Sequence, residues 1–422
     1  MRVWEYVRKR AMEGVGEREV ISGSGQTYRD LPEYTEKRFR RLRLCEGTTR
    51  AQQAAAVIKC LAEGDIAVPV SREYGRGRYE YIRSVVEKAE SGEAVPEDVA
   101  LLMFTSGTTG EPKGVMLTDE NIIENLEYIS GYFDVAGMNR LCISRSLTHI
   151  SGVTGELLYG ICNGMTIYFY EEAFIPQRLM KFLRETEAEV YCATPTVFGS
   201  LSRYADKAEI PLKTAAISGE RLTEGQAIKI AKAFPETKFY NVYGLTEHSP
   251  RVSALPPEDF LKKAGSIGKP IGNVHMKIED GELLVKSPCM MKGYYGAEEM
   301  TKEKLKGGWL HTGDMAHEDE DGYYYIDGRK DDMIIRGGVN IFPEEIEAVL
   351  KECPGVEECL VYGERDERFG EKIFAEVKGR AELTELQRFA REKLAPHLQP
   401  NEYKKTETFE YTSGGKLIRR KK

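Results

Sequence analysis

Two apolar runs, Leu101-Leu102-Met103-Phe104 and Val115-Met116-Leu117, bracket a stretch of Thr, Ser and Gly that closes on Pro112-Lys113-Gly114. Short apolar runs bounded by turn residues predict buried strands, so this segment predicts a hairpin. Upstream, Ala54, Ala55, Ile58, Leu61 and Ala62 recur on one helical face. They predict a helix over residues 50–63, capped by Thr49 and stopped by Gly64, followed by a strand over 65–70. Residues 26–31 predict a strand entering a helix. After the hairpin, Thr118 to Asn121 can cap a helix running to about residue 132. Further on, the pattern predicts helices over 153–163, 176–187 and 224–234. Strands are predicted over 165–170, 189–193, 215–220 and 238–244. Strands alternating with helices argue a mainly parallel sheet, whose ligands bind beyond the carboxyl ends of its strands.

From Lys269 the texture changes to short strands, over 275–279, 282–287 and 322–326, which predict a small β subdomain. An α+β tail follows, with a strand over 333–335, a helix over 343–352, strands over 357–363 and 372–377, and a helix over 384–394. The expected fold class is therefore α/β, with a large multi-subdomain N-terminal region and a small α+β C-terminal domain.

Composition narrows the function. At 422 residues, two or three domains are expected. The net charge of −8 disfavours a broad basic surface for nucleic acid. The eight cysteines are scattered without any Cys-x-x-Cys pair, which fits a reducing cytosol rather than a disulfide framework or a zinc site. No apolar run approaches the roughly 20 residues of a membrane span.

The hairpin tip carries the first chemistry. Thr105-Ser106-Gly107-Thr108-Thr109-Gly110 offers hydroxyls and bare backbone N–H groups, and Lys113 adds a positive charge. Glycine permits the close backbone approach that wrapping a polyphosphate requires. This is not a Walker A loop, because Pro112 precedes the lysine and Gly114 follows it. An ordinary surface turn rarely sets so many hydroxyls beside a lysine between two buried strands. The stretch resembles the phosphate loop of the adenylate-forming superfamily, which comprises acyl-CoA synthetases, stand-alone adenylation enzymes and luciferases.

Four more segments extend the resemblance in the superfamily's order. In Tyr243-Gly244-Leu245-Thr246-Glu247, a strand ends in an aromatic ring able to cover a purine, then presents a hydroxyl and a carboxylate. The resemblance assigns Thr246 to phosphate and Glu247 to a magnesium ion, with Asn241, Tyr243 and Gly244 on the nucleotide. Thr312-Gly313-Asp314 is similar to the ribose site, with Asp314 accepting from ribose hydroxyls. Gly328-Arg329-Lys330-Asp331 is similar to the hinge segment, making Arg329 a nucleotide contact and Asp331 the hinge. Gly337-Gly338 matches the segment that faces the pantetheine thiol. Near the C-terminus, Gly414-Gly415-Lys416 matches the catalytic lysine motif, although the upstream proline is absent.

Two marks concern the acyl group. Ser218-Gly219-Glu220 resembles the turn beside adenine and the acyl pocket. His149 matches the aromatic-or-histidine position beside the substrate carboxylate, and Thr148-His149-Ile150-Ser151 lacks the aspartate that amino-acid-activating relatives carry. A buried structural histidine is the competing reading. His311 and His317 suggest a metal pair, but nothing in the sequence completes a ligand set.

The resemblance implies a domain at residues 1–328, shortened at its start, a hinge at 329–331 and a mobile domain at 332–422. Relative to the superfamily, about one crossover unit is missing around residues 30–45 and between Val70 and Leu101. It implies ATP- and Mg²⁺-dependent activation of a carboxylic acid to an acyl-adenylate, then transfer to the thiol of CoA, in the cytoplasm. Loading of a carrier-protein phosphopantetheine, a luciferase-like oxidative step and a non-catalytic nucleotide-binding relative remain open alternatives.

Overall fold

The computed structural model describes all residues except 14–16, 38, 72–74, 91–94, 106–111, 206–209, 337–338, 367–369 and 410–422. Its contacts divide the chain into two compact units. The first comprises residues 1–276 and 285–311, the second 277–284 and 312–422.

The first unit opens with a helix, Val3–Ala11, and a five-stranded sheet. Strands β1 (Leu42–Cys45), β2 (Ile66–Pro69) and β3 (Val99–Thr105) run parallel. Strand β4 (Lys113–Thr118) returns antiparallel to β3, forming the predicted hairpin. Leu101, Leu102 and Met103 are buried as expected. Thr49 caps the Arg50–Ala62 helix by accepting from the Gln52 amide. A crossover helix, Arg76–Glu90, joins β2 to β3 within the stretch that the sequence pattern left blank. Residues 26–31 do not form a strand. The Thr27 amide and hydroxyl both donate to Asp30 Oδ2, at 2.8 and 2.9 Å, and close a tight turn over Tyr28–Asp30.

A seven-stranded sheet follows. Strands β5 (Arg140–Ile143), β6 (Thr166–Phe169), β7 (Val190–Ala193), β8 (Thr214–Ile217) and β9 (Lys238–Gly244) are parallel, in the order β9-β8-β7-β5-β6. Strands β10 (Arg251–Leu255) and β11 (Lys269–Pro270) extend it antiparallel beyond β9. The connection from β5 to β6 departs from the expected plain helix. It runs as Ile150–Gly152 in α conformation, Val153–Leu158 as a π-helix, and Tyr159–Cys162 as α again.

The second unit is built on strands β12 (His275–Glu279), β13 (Glu282–Lys286), β15 (Leu310–Glu318) and β16 (Tyr324–Arg329). The intervening β14 (Gly293–Tyr294) belongs to the first unit and pairs with β4. Strand β16 starts later than expected, because Asp319 and Tyr323 close a turn through Gly322 at φ 77°. A hairpin of β17 (Ile334–Arg336) and β18 (Val339–Ile341) leads to the Pro343–Leu350 helix. Strands β19 (Val356–Asp366), β20 (Gly370–Gly379) and β21 (Glu402–Lys405) make a three-stranded sheet covered by the Leu383–Lys393 helix. Ile334, Ile346, Leu350, Val361, Ile373 and Leu386 form its core.

Candidate active site

The hairpin places Thr105 and Lys113 opposite one another at the base of its loop. Ser106, Gly107, Thr108, Thr109 and Gly110 lie outside the described residues, as do Gly337, Gly338 and Lys416. Lys113 opens β4, and its ammonium sits 5.6 Å from the centre of the Tyr294 ring on the paired strand β14. The Tyr294 hydroxyl in turn donates to Glu247 Oε1 at 2.8 Å. A cation, an aromatic ring and a carboxylate are thus linked beside the β3–β4 hairpin.

Tyr294 is the residue that sequence reasoning missed. Its signal was the apolar Tyr294-Tyr295 pair after Gly293, a short strand that registers Tyr294 against Val115. Glu247 is further fixed by its own carbonyl, which accepts from the Met291 amide at 2.8 Å.

Glu247 stands on the turn after β9, just past Thr246. Gly244 ends the strand at a point where a Cβ would lie 2.1 Å from the Pro250 carbonyl oxygen, so only glycine fits. The next residue, His248, is fully enclosed. Its ring binds the Arg251 carbonyl at 2.9 Å and Ser287 Oγ at 2.7 Å, and burial pushes its pKa down to about 4. Asn241 is 4% exposed and donates to the Ser266 carbonyl at 2.6 Å, holding β9 against the following loop.

The β8 end carries the residues that the sequence reading sets beside the acyl group. Ser218 is buried, and its hydroxyl accepts from Arg145 Nη2 at 3.1 Å. Gly219 takes φ +91°, a left-handed conformation that favours glycine. Glu220 accepts from the Thr196 hydroxyl at 2.6 Å. His149 is half-buried at the start of the helical run, where its carbonyl accepts from the Gly152 amide.

In the second unit, β15 and β16 pair Asp314 directly with Arg329. Arg329 Nη1 donates to Asp314 Oδ1 at 2.7 Å and to the Thr312 carbonyl at 3.2 Å. Thr312 Oγ1 donates to the Leu283 carbonyl and accepts from the Asp314 amide, so the carboxylate is held by a fixed turn. The Gly313 amide donates to Glu282, which also pairs with Lys330 at 2.8 Å. Asp331 is exposed in a short turn. His317 is committed to Asp327 at 2.8 Å and stacks on Tyr325.

Among the described residues, no group of three or more His, Cys, Asp or Glu is arranged to hold a metal alone. Magnesium keeps most of its waters and binds through one or two carboxylates plus substrate phosphates. Glu247, a single carboxylate linked through Tyr294 to Lys113, fits that demand.

The sequence model of the AMP-binding enzyme family matches residues 41–295, and that of the AMP-binding enzyme C-terminal domain matches 345–416. The chain is 34% identical to a long-chain-fatty-acid–CoA ligase of Bacillus subtilis over 77% of its length, spanning 61% of that relative. It is 33% identical to a feruloyl-CoA synthase of Amycolatopsis sp over 76% of its length, spanning 69% of that relative. The fold matches the o-succinylbenzoate CoA synthetase (MenE) of Bacillus subtilis, solved with its acyl-adenylate, at TM-score 0.83 and 24% identity, covering 99% of this chain and 97% of that one.

Proposed function

Because the chain belongs to the AMP-binding enzyme family, we propose that it activates a carboxylic acid with ATP as an acyl-adenylate and then passes the acyl group to the thiol of CoA. The linked set of Lys113, Tyr294 and Glu247 beside the phosphate hairpin carries this reading.

In the first half-reaction the substrate carboxylate attacks the α-phosphate and pyrophosphate leaves. Lys113 meets the charge growing on the pyrophosphate, and Thr246 donates to a phosphate oxygen. Bound at Glu247, magnesium supplies charge neutralisation on the phosphates. Asp314 accepts from the ribose hydroxyls, with Arg329 holding it in place. Gly219, Glu220, Tyr243 and Gly244 take the adenine and its sugar, while His149 and Ser218 face the acid. Lys416 bridges the acid and the α-phosphate. In the second half-reaction, rotation at Asp331 exchanges Lys416 for the Gly337-Gly338 face, which admits the pantetheine arm. Eight free, buried cysteines support a cytoplasmic location. Among the described residues, no helix is long and apolar enough to cross a membrane.

The test is pyrophosphate release from ATP and Mg²⁺ with a panel of short, long, aromatic and dicarboxylic acids, run with CoA, with a phosphopantetheinylated carrier protein, and with no acceptor. A thioester on CoA supports the reading, and a thioester on the carrier alone reassigns the acceptor. No release with any acid overturns it. Lys416→Ala should lower adenylation on the order of 10²–10³-fold, as removal of one transition-state donor does, while leaving thioester formation from supplied acyl-AMP intact. Equal loss in both half-reactions would remove Lys416 from the first.

A further inference from the structure

Beside the Ser218-Gly219 turn, three charged side chains converge that none of the motifs includes. Arg145 follows β5, Glu156 lies in the π-helical stretch, and Arg251 begins β10. Glu156 is wholly buried, with its Oε1 3.2 Å from Arg145 Nε. Neither Glu156 oxygen nor Arg251 Nε has a hydrogen-bond partner among the described residues. Arg251 is itself buried. Its Nη2 would lie 3.3 Å from a Cβ at residue 155, so Gly155 leaves room for the guanidinium. Thr154 anchors the π-helix to the turn that precedes Arg251 by donating to the Ser249 carbonyl at 2.9 Å.

The charges do not balance. Two guanidiniums share one carboxylate in a water-poor setting, where an uncompensated charge is costly. Burial also favours the protonated form of Glu156, pushing its pKa up to about 7 against the pull of both arginines, which enlarges the positive excess. That excess points toward the acyl side. Arg145 retains 14% side-chain exposure, its Nη2 holds Ser218, and its Nη1 would lie 3.6 Å from a Cβ at Gly219. A hydrocarbon tail laid against this wall would leave the charges unpaired. A carboxylate would accept from the planar arginine fork.

We propose that Arg145, held by Glu156 and backed by Arg251, selects acids that carry a second anionic group, so that the substrate is a dicarboxylic acid activated at its other carboxylate. The proposal rests on the adenylating function above and narrows its substrate class.

The experiment measures ATP–pyrophosphate exchange with matched pairs of acids: butyrate with succinate, hexanoate with adipate, and benzoate with each benzenedicarboxylate. In at least one pair the diacid should exceed its monoacid in kcat/KM by roughly 10- to 100-fold, the worth of a hydrogen bond to a charged group. Arg145→Gln should shrink that ratio toward one, mainly through the KM of the diacid, and Arg145→Lys should restore part of it. A purely structural role would instead lower both members of a pair together. Preference for the monoacid in every pair, or an unchanged ratio in Arg145→Gln, overturns the proposal while the adenylating function stands. Exchange with no acid of either kind overturns both.

Discussion

Two carboxylates stand beside the seven-stranded sheet in opposite settings. Glu247 is half-buried on the turn after β9, accepts a hydrogen bond from Tyr294 and adjoins the phosphate hairpin. Glu156 is sealed inside a helical run, with two arginines nearby and no side-chain hydrogen bond among the described residues. The first has a hydrogen bond that the protein itself supplies, and the proposed function gives it a metal and phosphates to meet. The second is unfinished, and the positive excess around it, which reaches the pocket through Arg145, is what an anionic ligand can answer. His248, equally buried but bonded through both ring nitrogens, shows what a completed structural group looks like here. Burial alone does not mark a functional residue; burial with unmet bonding capacity does.

The contrast breaks most visibly at Glu156. Above pH 7, where Glu156 is ionised, Glu156→Leu leaves Arg145 and Arg251 buried without a counter-ion and should cost roughly 3–5 kcal/mol in urea unfolding, the usual toll for breaking a buried pair. A loss under about 1 kcal/mol, the range of exposed pairs, would show that water already reaches the arginines. Glu247→Ala should leave stability nearly unchanged yet lower exchange on the order of 10²–10³-fold, comparable to losing one electrostatic stabiliser. Wild-type exchange in that variant would remove Glu247 from the phosphate site.

Acidity sharpens the comparison, because the two buried groups titrate in opposite senses. Glu156 is raised by burial from 4.5 to about 7, so the fold holds its proton more tightly than the unfolded chain does. Its contribution is fully present below pH 4.5 and is lost as pH rises through about 7. The charged groups facing it are Arg145 and Arg251. Cys142, Cys192 and Tyr191 pack around it with pKa values also raised by burial, and stay neutral. His248 runs the other way, with stability present above pH 6.5 and lost as pH falls through about 4. Relative to Glu156→Gln, the wild type should therefore lose about 3 kcal/mol of stability between pH 4.5 and 7. A pH-independent difference between the two proteins would mean that Glu156 holds no such proton. The smallest effect is expected at Tyr294→Phe. Losing one hydrogen bond to Glu247 should reduce exchange several-fold, about 1 kcal/mol, and a raised Mg²⁺ requirement would localise the defect.

The same two carboxylates show what was legible in the chain. Glu247, Asp314 and Arg329 sit in short contiguous motifs, because strand ends and tight turns fix them locally. Glu156 owes its character to residues 145 and 251, brought together only by the sheet, and no local pattern announces that. The fold follows the same rule. Thr49 and Thr118 mark their helices with caps that the structure retains. The Arg76–Glu90 helix escaped notice because its buried Ile82 and Val86 are surrounded by Arg76, Arg78, Glu80, Arg83, Glu87 and Lys88, which dilute the apolar stripe. At residues 26–31, Asp30 competed successfully for the backbone that a strand would have used.

The π-helical stretch Val153–Leu158 has a consequence for how this pocket can change. A π turn holds one residue more than the α-helix around it needs. Deleting a single residue there can be absorbed by tightening to α geometry, so the turns on either side of the cut keep the faces they present. One codon's loss within Val153–Leu158 can therefore remove or shift the lining that Gly155 and Glu156 provide, while the turns Ile150–Gly152 and Tyr159–Cys162 keep their facing.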